Sequence, residues 1–266
     1  MAGSGRLAGK VCLVMGGGSS HPEGGFSNGQ ACAITYAREG ARVVVADLRE
    51  EAAAATVAEI ARRGGEATAT ACDVTKSDEV KAVVDTIVDT HGRLDVLHNN
   101  VGIEQLGSAI DTPEEAWDRV HEVNIKSVFL AAKHAVPVMA AQGGGSIINI
   151  SSTASLRWGG VSFLAYNSSK AALNHMSRII AREHAGAKVR VNVVIPGMID
   201  TPHIRTLYKH LSPDELADKL MERDAKCPMG RQGTCWDVAN AALFFASDDA
   251  AYVTGAQLLV DGGLSI

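Results

Sequence analysis

The 266-residue sequence lacks most of the features that would settle its class at once. It has no strong charge bias: 25 Lys and Arg stand against 30 Asp and Glu, a formal net charge of −5. Neither nucleic acid nor an anionic membrane surface is therefore indicated as a partner. It has no long hydrophobic run. The longest candidate, Ile125 to Ala141, is interrupted by Lys126, Lys133, His134 and Pro137, whereas a membrane span needs roughly 20 mostly apolar residues. The opening Met-Ala-Gly-Ser-Gly-Arg has no signal-peptide core, so a cytoplasmic location is expected. The five cysteines (Cys12, Cys32, Cys72, Cys227, Cys235) include no Cys-x-x-Cys pair, which argues against a disulfide framework and a zinc site. Nine histidines are scattered without ligand spacing, and no metal is expected.

Against that background, hydrophobic residues make up 46% of the chain and glycine is frequent, with 27 residues. Short β-branched runs recur at Val11–Met15, Arg42–Ala46, Ala67–Cys72, Leu94–His98, Ser146–Ile150, Val189–Val194 and Gln257–Val260. Each reads as a buried strand, apolar on both faces, as in a parallel sheet covered by helices. Between them lie stretches of helical length at Gln30–Glu39, Glu50–Arg63, Ser77–His91, Pro113–Ala140 and Tyr166–His184. Thr112-Pro113-Glu114-Glu115 reads as a cap, an N1 proline and an acidic first turn. Gly40, Gly64 and Gly92 read as left-handed helix stops. With no linker or composition shift, residues 1–266 are expected to form one doubly wound α/β domain.

Directly after the first strand come Gly16-Gly17-Gly18-Ser19-Ser20, and then Gly24-Gly25-Phe26-Ser27-Asn28-Gly29 leads into a helix. A glycine loop between strand and helix lets backbone N–H groups approach a pyrophosphate that a Cβ would obstruct. Asp47 ends the second strand, 18 residues after Gly29 (47 − 29). A carboxylate there can accept both adenosine ribose hydroxyls and repels a 2′-phosphate, so NAD is favoured over NADP. Asp47 could alternatively cap the next helix, and nearby Arg49 weighs against a strict preference.

Further along are Asp73 in Cys-Asp-Val, Asn99-Asn100-Val101-Gly102, Asn124, Ser151-Ser152, Tyr166-Asn167-Ser168-Ser169-Lys170 and Pro196-Gly197-Met198-Ile199-Asp200-Thr201. In this order and spacing the chain resembles the short-chain dehydrogenase/reductase family over residues 7 to 263. The resemblance implies a seven-stranded parallel Rossmann sheet with helices on both faces, a nicotinamide cofactor, and a Ser-Tyr-Lys site assisted by an Asn. Two departures stand out. The family loop is Thr-Gly-x-x-x-Gly-x-Gly. Here Met15 replaces the Thr, Ser27 stands at the middle Gly, and about seven residues are added, with Ser19, Ser20 and Asn28 available to a phosphate. The family serine usually lies 13 residues before the tyrosine, at Thr153. The strand-end pair instead favours Ser152, 14 before (166 − 152), with Thr153 or Ser155 as alternatives.

Tyr166 and Lys170 are four apart and share a helix face. An ammonium within about 5 Å of a phenol favours the phenolate, so Tyr166 is expected as the acid/base. Ser152 is expected to hold the substrate oxygen. By resemblance, Lys170 also holds the nicotinamide ribose and Asn124 a water in a proton relay to Lys170. The resemblance further implies cofactor contacts from Gly16, Gly29, Asp47 and Leu48, and from Asp73 and Val74 around the adenine. Asn99, Asn100 and Gly102 line the cleft, and Pro196, Ile199 and Thr201 approach the carboxamide.

Between about 198 and 231 the βα rhythm breaks, and the family places its substrate lid there. Ile204, Leu207, Tyr208, Leu211, Leu216, Leu220, Met221 and Met229, with Trp158 and Phe163, point to a mostly apolar pocket. The expected activity is hydride transfer between a secondary alcohol or ketone and NAD. The alternatives are a 3-oxoacyl- or enoyl-thioester reductase and a non-catalytic NAD-sensing protein. The enoyl branch spaces Tyr and Lys seven apart, against four here (170 − 166), and a sensor needs no proton donor. A homotetramer is expected by resemblance through the last strand.

Overall fold

Alternation along β1 shows why its residues need not alternate in polarity. Val11, Leu13 and Met15 face one core layer while Cys12 and Val14 face the other, so all five positions of β1 (Val11–Met15) are buried. In a computed structural model that describes residues 3–18 and 25–266, β1 is followed by α1 (Asn28–Arg38), β2 (Arg42–Asp47), α2 (Glu50–Arg62) and β3 (Glu66–Ala71). The second half-turn of the fold contains α3 (Ser77–His91), β4 (Val96–Asn99), α4 (Glu114–His121), α5 (Ser127–Ala141), β5 (Gly145–Ile150) and α6 (Leu164–His184). β6 (Val189–Pro196), β7 (Ile199–Asp200), α7 (Pro202–Leu207), α8 (Pro213–Lys226), β8 (Gly233–Thr234), α9 (Cys235–Ala246) and β9 (Gln257–Val260) complete the chain.

The strands form one seven-stranded parallel sheet in the order β3-β2-β1-β4-β5-β6-β9. One core layer packs α1 and α9 on the sheet and the other packs α3 and α5, with Ile147 and Ile148 of β5 dividing between them. Each such fully buried Ile stabilises the fold by about 1.5–3 kcal/mol. Sequential strands run outward from β1 in one direction and from β4 in the other. The crevice at their carboxyl ends is where an open α/β sheet binds ligands.

Three expectations need correction. The sheet edges are less buried than their sequences imply: β3 is exposed or half-buried along its length, and Leu258 and Leu259 of β9 are more than a third exposed. An edge strand has a neighbour on one side only. Residues 113–140 do not form one regular α-helix, because a π-helical turn at Glu122–Lys126 separates α4 from α5. Pro113 rather than Thr112 occupies the cap position, and the Thr112 hydroxyl donates to the Ser108 carbonyl at 2.6 Å. The glycine stops at Gly40, Gly64 and Gly92 are left-handed as expected. The interrupted segment after Met198 forms the small β7–β8 pair with α7 and α8 between its strands. Among the described residues no helix is long and apolar enough to cross a membrane.

Candidate active site

At the end of β1 the chain turns at Gly16, whose φ of +76° belongs to the left-handed region. A β-carbon there would also meet Val101 at 2.8 Å. The first turn of α1 presses on the same loop so closely that a Cβ on Gly29 would lie 2.0 Å from the Gly16 carbonyl oxygen. Ser27, the replacement for the family's middle glycine, fastens the loop. Its hydroxyl donates to the Gly18 carbonyl at 3.1 Å and accepts from Gln30 N–H at 3.2 Å, in a capping box closed by Gln30 Oε1. Thr56, unmarked in the sequence, donates from α2 to the Gly17 carbonyl at 2.8 Å. Asn28 has a buried side-chain oxygen with no partner among the described residues. Rotating that amide presents its NH2 instead. Ser19 and Ser20 lie outside the described residues.

A cleft of about 360 Å³ opens beside this loop. Gly16, Asp47, Leu48, Asp73 and Val74 line it, with Asn100 and Gly102 opposite. Asp47 accepts the Gly18 N–H at 3.1 Å and the Arg49 N–H at 3.4 Å. It does not cap α2, where Arg49 holds the cap position. Asp73 Oδ1 accepts from the Thr75 N–H at 2.9 Å and hydroxyl at 2.7 Å. Burial pushes the Asp73 carboxyl up, but those bonds and the Arg119 charge outweigh it and leave the pKa lowered. Asn100 donates to the Gly16 carbonyl at 3.0 Å. Asn99, expected to line the cleft, turns inward. It donates to Asn149 at 2.8 Å, and Asn149 donates to Ser177 at 2.9 Å, because strand neighbours point to opposite faces.

Two rim residues had no sequence signal. His203 of α7 hydrogen-bonds Glu104 at 3.2 Å across the cleft mouth, and Arg119 of α4 lines the cleft wall near Asp73. Pairings 99 positions apart leave no trace in local pattern.

At the other end of the crevice, β5 delivers Ser152 and α6 delivers Tyr166 and Lys170. Ser152 begins the short 3₁₀ turn Thr153–Ser155, accepting from Ala154 N–H at 3.2 Å, and its side chain hydrogen-bonds Tyr166. Thr153 is buried, and the Ser155 hydroxyl is committed to the Ser152 carbonyl at 2.6 Å while accepting from Asn174 at 2.8 Å. Tyr166 is half-buried, reaching solvent while protein crowds around it. Burial pushes the phenol up to about 12, against the bond to Ser152 and helped by the charge of Glu104. Burial likewise brings the Lys170 ammonium down to about 8. Among the protein's own groups, burial therefore sets the direction of the Tyr166 shift. The ammonium donates to the Ile150 carbonyl at 2.9 Å and stands 5.8 Å from the Tyr166 ring centre.

Asn124 sits in the π-helical turn, fully buried. Its side chain donates to the Ile103 carbonyl and the Ser169 hydroxyl, each at 2.9 Å, and accepts the Ile103 N–H at 2.9 Å. It ties the segment after β4 to α6, one residue from Lys170. Pro196 ends β6, Ile199 lies in β7, and Thr201 precedes α7 without a side-chain cap bond. None of these three lines the 360 Å³ cleft, though the adjoining Pro202 and His203 do. A larger cavity, about 710 Å³, lies at the opposite end of the sheet, away from Tyr166.

Strand order and the crevice at its reversal point define a doubly wound, Rossmann-type α/β protein. Residues 26–265 match the family model described as Enoyl-(Acyl carrier protein) reductase. The chain belongs to the short-chain dehydrogenase/reductase family. It is 38% identical over 261 residues to the 3-oxoacyl-(acyl-carrier-protein) reductase FabG of Thermotoga maritima, covering 98% of this chain and 100% of that one. It is 39% identical over 261 residues to the 2,5-dichloro-2,5-cyclohexadiene-1,4-diol dehydrogenase LinX of Sphingobium indicum, covering 98% of each. A solved short-chain dehydrogenase/reductase structure from Burkholderia xenovorans superposes with a TM-score of 0.93 at 42% identity, covering 98% of both chains. These relatives are named as oxidoreductases.

Proposed function

We propose that the chain is an NAD-dependent oxidoreductase acting between a secondary alcohol and its ketone, with Tyr166 as the acid/base. The observation that carries this is the convergence of Ser152, Tyr166 and Lys170 at the carboxyl end of β5, beside a glycine cradle. The cradle fits a dinucleotide, since glycine replaces side chains where backbone meets backbone and Asn28 holds an unpartnered polar atom beside it. Gly16, Asn28 and Gly29 would meet the pyrophosphate, with Asp47 and Leu48 at the adenosine ribose. Asp73, Val74, Asn100 and Gly102 would line the adenine side, and Pro196, Ile199 and Thr201 the carboxamide. Asp47 favours NAD over NADP because its carboxylate accepts hydroxyls and repels a 2′-phosphate. Oxidised nicotinamide, when bound, accepts hydride and brings a positive charge.

Ser152 holds the substrate oxygen and steadies charge developing on it. Tyr166 takes the hydroxyl proton in oxidation and returns it in reduction. Lys170 is a positive charge held beside the phenol by its bond to the Ile150 carbonyl, and Asn124 positions the segment carrying Gly102 and Ile103 against it. The buried phenol with its raised pKa is a proton donor in the resting chain, and a nearby cation is what converts it to a base. A 3-oxoacyl-thioester reductase is the second reading, favoured by the Thermotoga relative. The exposed apolar residues of β9 and Tyr252 support a homotetramer, which size exclusion with light scattering tests. The activity itself is tested by following NADH and NADPH absorbance against cyclic and open-chain ketones, a 3-oxoacyl thioester and their alcohols, with Tyr166→Phe in parallel. Turnover undiminished in Tyr166→Phe sinks the mechanism, and cofactor binding without turnover on the whole panel favours a sensor.

A further inference from the structure

The 710 Å³ cavity opens at the amino ends of β1, β4, β5 and β6, the end of the sheet opposite Tyr166. Ligand pockets typically run about 300–1,000 Å³, so it is large enough for a small metabolite. Its wall carries four cationic side chains, Lys10, Arg93, Lys188 and Arg190, and two carboxylates, Asp95 and Asp248. The local balance is +2 (4 − 2) in a chain whose formal net charge is −5. Arg93 is paired with Asp95 at 2.6 Å and Lys10 with Asp248 at 2.7 Å. That leaves Lys188 and Arg190 without a carboxylate at ion-pair distance among the described residues, although the charge of Asp248 reaches Arg190.

Two independent observations single out these unpaired cations. Arg190 donates from Nη2 to the Ser247 carbonyl at 3.2 Å, but its Nη1 is buried with no hydrogen-bond partner among the described residues. A buried guanidinium nitrogen ordinarily has one. Lys188 is the sole non-glycine residue at positive φ among the described residues, at 59°. Its N–H donates to the Ala185 carbonyl at 3.0 Å and its carbonyl accepts from Gly145 at 3.2 Å, fixing the turn at the cavity rim. Glycine makes such a turn without the steric cost that a Cβ incurs. What lysine adds at this position is an unpaired ammonium.

We propose that this cavity binds a small, multiply charged oxyanion, a phosphate- or carboxylate-bearing metabolite, with Lys188 and Arg190 as its anchors. The anion adds counter-charge to that of Asp248, which is bound by Lys10 and is the one carboxylate whose charge also reaches Arg190 among the described residues. The site is separate from the catalytic crevice.

Isothermal titration of the full chain in its native assembly with inorganic phosphate, and separately with citrate, tests this against potassium chloride at matched ionic strength. Saturable binding is expected from at least one of the two, weakened at least tenfold in Lys188→Gly and in Arg190→Gln. Glycine suits the left-handed turn, so lost affinity in Lys188→Gly reports the ammonium and not a damaged fold. Binding of phosphate alone assigns a phosphorylated ligand, and binding of citrate alone a carboxylate. The proposal is overturned if neither titrates beyond chloride, or if Lys188→Gly binds as the parent does.

Discussion

The Lys170 ammonium stands 5.8 Å from the centre of the Tyr166 ring, and its hydrogen bond goes to the Ile150 carbonyl at 2.9 Å. One helical turn of α6 separates the two residues, which places them on one face without pairing them. Each is held by burial toward its neutral form, the phenol at about 12 and the ammonium at about 8.

This gives a pH dependence of stability with a definite sign. An unfolded Lys170 titrates near 10.5 and the folded one near 8, so between these values the unfolded chain binds more protons and stability rises with pH. Urea denaturation from pH 7.5 to 9.5 should show the parent gaining on the order of 2 kcal/mol relative to Lys170→Met. Above about pH 10 Tyr166 opposes the trend, because the folded phenol keeps a proton that the unfolded one loses.

Replacing Tyr166 by Phe removes the proposed proton carrier and leaves the cradle untouched. The expected result is a fall of about 10²–10⁴ in kcat, with NADH affinity by fluorescence within a few-fold of the parent.

Ser152 hydrogen-bonds Tyr166, whereas Thr153 is buried beneath the turn. Ser152→Ala should lower kcat about 10²-fold, by analogy with losing one oxyanion donor, and Thr153→Val, which removes the other hydroxyl, should have little effect. The reverse ranking would assign the catalytic hydroxyl to Thr153.

Asp47→Asn keeps the side chain's shape and removes the charge proposed to face a 2′-phosphate. The ratio of NADP to NAD dissociation constants, measured by titration, should fall at least tenfold. A ratio that does not move would falsify the role given to Asp47.

Ser27 takes the place of a glycine and ties α1 to Gly18. Ser27→Ala removes the capping box and should cost about 1 kcal/mol of stability in urea denaturation. NAD affinity should fall with it, because the tether also holds the glycine loop proposed to meet the pyrophosphate. Unchanged stability would mean that the loop is held by Thr56 alone.

The repeating strand and helix segments were legible in the sequence because they depend on neighbours in the chain. Val11–Met15 reads as a strand buried on both faces from its own five residues, and Gly40, Gly64 and Gly92 end helices for a reason local to each. The four-residue spacing of Tyr166 and Lys170 likewise fixes a shared helix face. Tertiary structure decided where polar side chains point. Asn99 and Asn100 are adjacent and alike, yet pleating sends one into the core toward Asn149 and the other to the Gly16 loop. Ser152 is distinguished from Thr153 by a turn that depends on α6 packing against it. The Lys170 ammonium is directed by a carbonyl 20 residues earlier, and the edge exposure of β3 and β9 by which strands lack a second neighbour. Such choices depend on groups that folding brings together from distant parts of the chain, and local pattern carries no record of them.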